Sequence, residues 1–427
     1  MTGLAPNARS HLIEASATLA ITATAARLKA AGHDVVSLGA GEPDFATPEV
    51  VARAGIAAIE QGNYRYTPAA GIPALRQAGA EWLSAEFGLN YGPEEVMVCA
   101  GAKAALHMAL AAIVEPGDTV LLLAPYWVSY PALITMAGGQ PIIVPANPAR
   151  NFVHDEASIE AAAAKHNAKG IIVNFPNNPS GSVPSRNDVR ALVDLCVRRD
   201  MWIISDEIYS TMLYDDAVHV SPAALPGGRE RTVIVNGFTK SHTLTGWRTS
   251  FFAAPADIVE TAARIQSQVL GNACTISQAA MLEACRQPLP DEHAMRMKAF
   301  TERRNFLVTE VNKIAGISLV APRGAFYALL DIRPICDARG IDDVEACQQL
   351  LEQHQLAIVP GQAFGTPGFV RCSYAASIET LKKAVERITT WANSAATGNS
   401  TISNSTISNS ATGNLATGNS TSGGTQS

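Results

Sequence analysis

Lys240 and Arg248 in KSHTLTGWR have seven residues between them and follow closely on the apolar run TVIVN. Asp206 and Tyr209, in SDEIY, close the run MWIIS. Asn178 in PNNPSG follows GIIVNF, Trp127 in PYWVSY follows TVLLLA, and GAKAAL (101–106) follows VMVCA and opens a helical pattern. A desolvated lysine, or one beside other cations, can serve as a neutral nucleophile. A helix start offers backbone N–H groups to an anion. Each group also has a plainer reading: a solvated surface lysine, an Asp capping the next helix, an Asn-Pro turn, a core tryptophan, an ordinary loop-to-helix turn at Gly101-Ala102. Their convergence decides between the two.

That convergence depends on the elements around them. The runs 119–124, 170–175, 201–205 and 232–236 are short and rich in aliphatic and β-branched residues, and helical patterns such as DVRALVDLCVRR (188–199) separate several of them. Continuous apolar strands alternating with helices predict an α/β fold with a mainly parallel sheet covered on both faces. In such a sheet the carboxyl ends of the strands open on one crevice, where ligands bind. After Phe300 the pattern becomes a long helix, two strands (GAFYALLDI, FVRCSY) and a helix from Ile378 to about Trp391, which predicts a second, α+β unit. A helix over Leu19–Ala31 precedes the Gly/Pro-rich turn LGAGEPDF.

With these motifs in place, residues 10–392 resemble the class I aminotransferases that use pyridoxal 5'-phosphate, and among them the bacterial aspartate aminotransferases. The resemblance rests on LGAGEPDF, YRYTPAAGIPALR, APYWVSYP, NFPNNPSG, SDEIY, NGFTKSHTLTGWR and FVRCSY. It implies transferase fold type I: a mainly parallel seven-stranded sheet in a large domain, with helices on both faces, plus a smaller α+β domain. The implied divisions are an N-terminal segment (1–48) packing with the small domain, a large domain (49–295), a small domain (296–393) and a low-complexity tail (394–427) expected to be disordered. Lys240 resembles the lysine that binds the cofactor as a Schiff base, and Asp206 the partner of its pyridine nitrogen. Tyr209 and Asn178 resemble the donors to its phenolic oxygen, Trp127 the ring stacked on its face. Arg248 resembles the phosphate arginine, helped by the backbone N–H groups of Ala102 and Lys103. Arg371 resembles the clamp on the substrate α-carboxylate, and Gly39 the backbone position meeting the same group. Tyr66 resembles a tyrosine reaching the neighbouring subunit's cofactor, which implies a homodimer.

Aspartate is the expected amino donor and 2-oxoglutarate the acceptor. Ser16 and Thr18, with Lys103, are candidates for the side-chain carboxylate, although small residues before a helix are ordinarily caps. Glu14 stands where relatives that accept prephenate are expected to carry a lysine, so no prephenate activity is expected. A transaminase of neutral or aromatic amino acids, or a C–S β-lyase or cyclising synthase of the same fold, would keep nearly all these residues. A regulatory module would need a DNA-binding domain, for which the residues before 15 are expected to be too few. A nicotinamide-binding fold would need GxGxxG, and LGAGEPDF runs from GxG into Pro43.

The bulk properties agree. The chain has 427 residues, too many for one ordinary core, with 47% apolar and 16% charged residues, as a folded globular protein has. A net charge of −6 without basic runs argues against nucleic acid as partner. No apolar stretch approaches the ~20 residues of a membrane helix, and the N-terminus does not read as a secretory signal. The seven cysteines are odd in number and scattered, which predicts reduced thiols, no metal centre and a cytoplasmic address.

Overall fold

β-Branched and aliphatic residues on both faces of short runs can be satisfied only inside a sheet covered from two sides. The computed structural model, which describes Leu4, Leu12, Ile13 and residues 15–394, shows that sheet. In chain order the strands are β1 (Val36–Ser37), β2 (Val96–Cys99), β3 (Thr119–Leu123), β4 (Gln140–Val144), β5 (Gly170–Asn174), β6 (Trp202–Asp206) and β7 (Thr232–Asn236). After these come β8 (Ser250–Ala253), β9 (Ser318–Leu319), β10 (Tyr327–Asp331), β11 (Leu356–Ala357), β12 (Val359–Pro360) and β13 (Phe369–Ser373). The large sheet has the order β2-β8-β7-β6-β5-β3-β4. Strands β4, β3, β5, β6 and β7 run parallel, and β8 is antiparallel to both β2 and β7.

The alternation along single strands shows how both faces are filled. In β5, Ile171 and Val173 pack with Ile159, Val189, Leu192 and Val193 from the helices Glu156–His166 and Arg186–Arg198. Ile172 between them points the other way, towards Leu106, Leu110 and Ile134. Burying one such side chain is worth roughly 1.5–3 kcal/mol, and a slip of one residue would exchange the two faces. The helix Arg186–Arg198 begins at a capping box: the Ser185 hydroxyl accepts from the Asp188 N–H at 3.2 Å, and the Asp188 carboxylate accepts from the Ser185 N–H at 3.0 Å. Such a cap contributes about 1 kcal/mol.

A four-stranded antiparallel sheet, β12-β13-β10-β9, forms from the C-terminal third, and β1 pairs separately with β11. The smaller sheet shares one core with the long helix Pro290–Val311 and the last helix Ile378–Asn393, through Phe300, Leu307, Phe326, Leu381 and Trp391. Val36 and Leu38 belong to the same core. Strands β4 and β8 are the two large-sheet strands that the apolar runs do not announce. β4 is at the edge and partly exposed, and SFFA of β8 is short.

Candidate active site

Strands β2, β3, β5, β6 and β7 end on one edge of the large sheet, and β8, running the opposite way, begins there. Arg248 lies two residues before β8 and so reaches the same edge as Lys240, four residues after β7. A cavity of about 300 Å³ opens at this edge. Ala102, Lys103, Trp127, Asn178, Asp206, Tyr209, Lys240 and Arg248 all line it, and so does Arg371, brought in by β13 of the smaller sheet.

Lys240 Nζ donates to the Gly41 carbonyl at 2.6 Å. Burial pushes its pKa down to about 8, with the Glu42 and Asp206 carboxylates pulling the other way. Asp206, 5% exposed, is pushed up to about 6 by burial, against hydrogen bonds that favour its ionised form. Those bonds come from the Tyr130 hydroxyl at 2.8 Å and the Ile208 N–H at 3.3 Å. The Asn174 side chain links neighbouring strand ends, donating to the Asp206 carbonyl at 2.7 Å and accepting from the Asn178 N–H at 2.8 Å.

Two features describe what this cavity can hold. The first is an anion cradle. Gly101 adopts φ +89°, and a Cβ there would lie 2.5 Å from Arg248 Nη2, so the backbone closes against the guanidinium only because the residue is glycine. The helix Ala102–Ile113 starts immediately after, its first intrahelical bond running from the Ala105 N–H to the Gly101 carbonyl. The N–H groups of Ala102 and Lys103 are therefore open to an anion. Lys103 Nζ sits 5.0 Å from the centre of the Trp127 ring, and burial and Arg248 lower its pKa.

The second feature is Arg371. It is 2% exposed, its Nη1 donates to Asn178 Oδ1 at 3.0 Å and its Nη2 to the Gly39 carbonyl at 2.6 Å. Its Nε is buried without a partner, and among the described residues no carboxylate pairs with it. A buried cation without a counter-charge is costly, and an anionic group in the cavity would offset that cost. Gly39 thus touches the arginine rather than lining the cavity, whereas Gly41 does line it.

Other expected residues fall differently. Thr18 lines the cavity, whereas Ser16 is the N-cap of the helix Ala17–Ala30 and its hydroxyl makes no cap bond. Tyr66 is 97% exposed and outside the cavity. Glu14 lies outside the described residues, as does the tail from residue 395. Tyr130, Asn174, Thr239 and Tyr327, absent from the residues expected above, also line the site. Tyr130 follows Trp127 at helical spacing, and Asn174 is a polar residue closing an apolar strand; both were signals. Among the described residues no helix is long and apolar enough to cross a membrane, and no cluster of ligating side chains could hold a metal.

With the site's geometry in hand, the relatives can be compared. Residues 33–388 match the family described as aminotransferase class I and II. A probable aspartate/prephenate aminotransferase of Aquifex aeolicus is 42% identical over 383 residues, 89% of this chain and 96% of its own. An aspartate aminotransferase of Geobacillus stearothermophilus is 41% identical, over 87% of this chain and 95% of its own. The solved structure of the Thermus thermophilus aspartate aminotransferase with maleate superposes with a TM-score of 0.86 at 40% identity, covering 92% of this chain and all of that one. The chain belongs to the class I and II aminotransferases, with fold type I. It is an aminotransferase.

Proposed function

We propose that this enzyme moves the amino group of L-aspartate to 2-oxoglutarate, giving oxaloacetate and glutamate, with pyridoxal 5'-phosphate bound at Lys240. The observation that carries the reading is Arg371: a wholly buried guanidinium without a carboxylate, facing the cavity that also holds the Lys240–Asp206 pair. The relatives named for aspartate support the choice of substrate. The cofactor fits the donor set. Its phosphate matches the cradle of Arg248 and the Ala102 and Lys103 N–H groups, its ring nitrogen matches Asp206, and its phenolic oxygen matches Tyr209 and Asn178.

When bound, pyridoxal phosphate supplies an electrophilic carbonyl carbon and a ring that accepts electrons from the substrate's Cα–H bond. The residues do the rest. Arg371 binds the α-carboxylate through its planar fork, which orients the Cα–H bond. Lys240, whose pKa of about 8 makes a neutral amine accessible near physiological pH, would take the proton from the substrate's Cα as base and, as acid, deliver it to the carbon that was the cofactor's aldehyde. Asp206, its oxygens held by Tyr130 and Ile208, would supply the negative charge that keeps the ring nitrogen protonated. Trp127 walls one side of the cavity against water. Thr18 and Lys103 stand where a side-chain carboxylate could be met.

We propose a homodimer in which Tyr66 serves the neighbouring copy's site, which accounts for its exposure. Ile56, Ile59 and Tyr64 are exposed with it on the helix Glu49–Glu60 and the turn after it. A cytoplasmic address is supported by seven cysteines, all free.

A half-reaction tests the reading. Aspartate, alanine, phenylalanine and methionine are added singly to loaded enzyme, and the cofactor's visible absorbance is followed as its aldehyde form becomes the amine form. Aspartate should convert it fastest and release oxaloacetate; prephenate as acceptor should restore it poorly. Aspartate left inert while phenylalanine reacts would overturn the substrate, and pyruvate with a free thiol from cystathionine-type substrates would point to the lyase. Lys240→Ala should abolish turnover yet retain some cofactor.

A further inference from the structure

We propose that Tyr327 is a positioning residue that ties the arginine at the substrate's carboxylate to the tyrosine facing the cofactor. Its ring carries Arg371 and its hydroxyl sets the direction in which the Tyr209 hydroxyl points. The proposal rests on the functional reading above.

The register of the smaller sheet makes the first contact. Tyr327 of β10 lies opposite Ser373 of β13, and Leu329 lies opposite Arg371. Tyr327 and Arg371 are therefore diagonal neighbours on one face of an antiparallel pair, a spacing that aromatic and long side chains bridge. The guanidinium carbon sits 4.7 Å from the Tyr327 ring centre and 4.8 Å from that of Phe364, so two rings pack against the cation. Without a carboxylate partner, Arg371 depends on those ring faces and two neutral acceptors for its orientation.

The second contact crosses from the smaller sheet to the loop after β6. Tyr327 Oη lies 3.0 Å from Tyr209 Oη, with the rings edge to face at 86°. Both phenols line the cavity, and burial raises both pKa values, so each keeps its proton. A hydroxyl has one proton to give. An acceptor in the cavity that takes the Tyr209 proton leaves Tyr327 as the donor in the pair, and that second bond polarises the first. The Tyr327 oxygen also has a fixed place: a Cβ on Gly41 would lie 2.5 Å from it, so the backbone whose carbonyl receives Lys240 Nζ packs against the same hydroxyl.

Two variants of the loaded enzyme test this. Tyr327→Phe keeps the ring under Arg371 and removes one oxygen. The pH midpoint of the cofactor's visible band should rise by roughly half a unit, because Tyr209 donates less well to the ionised phenolic oxygen. The KM for aspartate should stay within about twofold, since the cation keeps its ring. Tyr327→Leu should show the same midpoint shift with KM raised about tenfold. A midpoint in Tyr327→Phe equal to that of the wild type overturns the proposal, as does a KM raised as far by Phe as by Leu. A residue that merely filled space would give the first of these results. If Tyr327→Leu fails to fold, Tyr327→Phe decides alone on midpoint and KM. A wild-type enzyme whose band aspartate does not change would sink the functional reading itself, before any variant is compared.

Discussion

Lys240 and Arg371 are cations held where water is scarce, and both can be tested through what that costs. Folding lowers the Lys240 pKa to about 8 from the ordinary lysine value of 10.5, so the unfolded chain holds the proton more tightly. The penalty is present in full below pH 8 and disappears as pH rises towards the unfolded value. In cofactor-free protein Lys240→Met should therefore melt above the wild type at pH 7, and the gap should close by about pH 10. Paired melting curves at the two pH values measure it, and a gap indifferent to pH would count against a buried charge at this position. On the proposed reading, Arg371→Leu would leave a substrate carboxylate without its fork. KM for aspartate should rise on the order of 100-fold, from two charge-assisted hydrogen bonds lost, which steady-state kinetics would show.

At the scale of elements, the site is an edge of a sheet. Its strands were readable because residues buried on both faces leave a continuous apolar run, as in TVIVN and GIIVNF, and the polar residue after each run then marks the edge. Strand β8 carries no such mark, since four residues of SFFA resemble a buried helix segment as much as a strand. Its direction matters nonetheless, because only an antiparallel β8 puts Arg248 at the same edge as Lys240. The cradle beside it depends on Gly101. At φ +89° and ψ 164° an alanine is strained, and its Cβ would displace the Arg248 guanidinium. Gly101→Ala should lower stability by about 1–3 kcal/mol and weaken cofactor retention. Denaturant melts and equilibrium dialysis against free cofactor would each report one effect; unchanged retention would remove Gly101 from the phosphate site.

At the scale of the molecule, Tyr66 poses the question of a second copy. It is part of a motif that resembles an active-site tyrosine, yet it stands 97% exposed and apart from its own chain's cavity. If it serves a neighbour, mixing Lys240→Ala subunits with Tyr66→Ala subunits should restore activity. Hybrids then contain one site with an intact lysine and an intact tyrosine from across the interface. Activity no higher than the two variants' sum would place Tyr66 outside any shared site. Removing residues 395–427 should leave kcat, KM and the melting temperature unchanged, because Asn, Ser, Thr and Gly tracts have little apolar surface to bury; kinetics and melting of the truncated chain would check this.

By itself, the sequence determined which polar side chains gather at one edge of the large sheet. Lys240, Asp206, Tyr209, Asn178 and Trp127 each follow a strand that its own apolar pattern reveals, Arg248 is tied to Lys240 by their spacing, and both period and burial are local properties of the chain. Tertiary structure alone decided the rest. Tyr130 became the donor to Asp206, Gly41 the acceptor for Lys240, and Tyr327 the neighbour of both Arg371 and Tyr209. The contacts of Tyr130 with Asp206, Gly41 with Lys240 and Tyr327 with Tyr209 join residues 76 to 199 positions apart, and Tyr327 meets Arg371 only across paired strands. Distances of that kind are set by strand order and register, which arise from how the whole core packs and have no signature in any short stretch of residues.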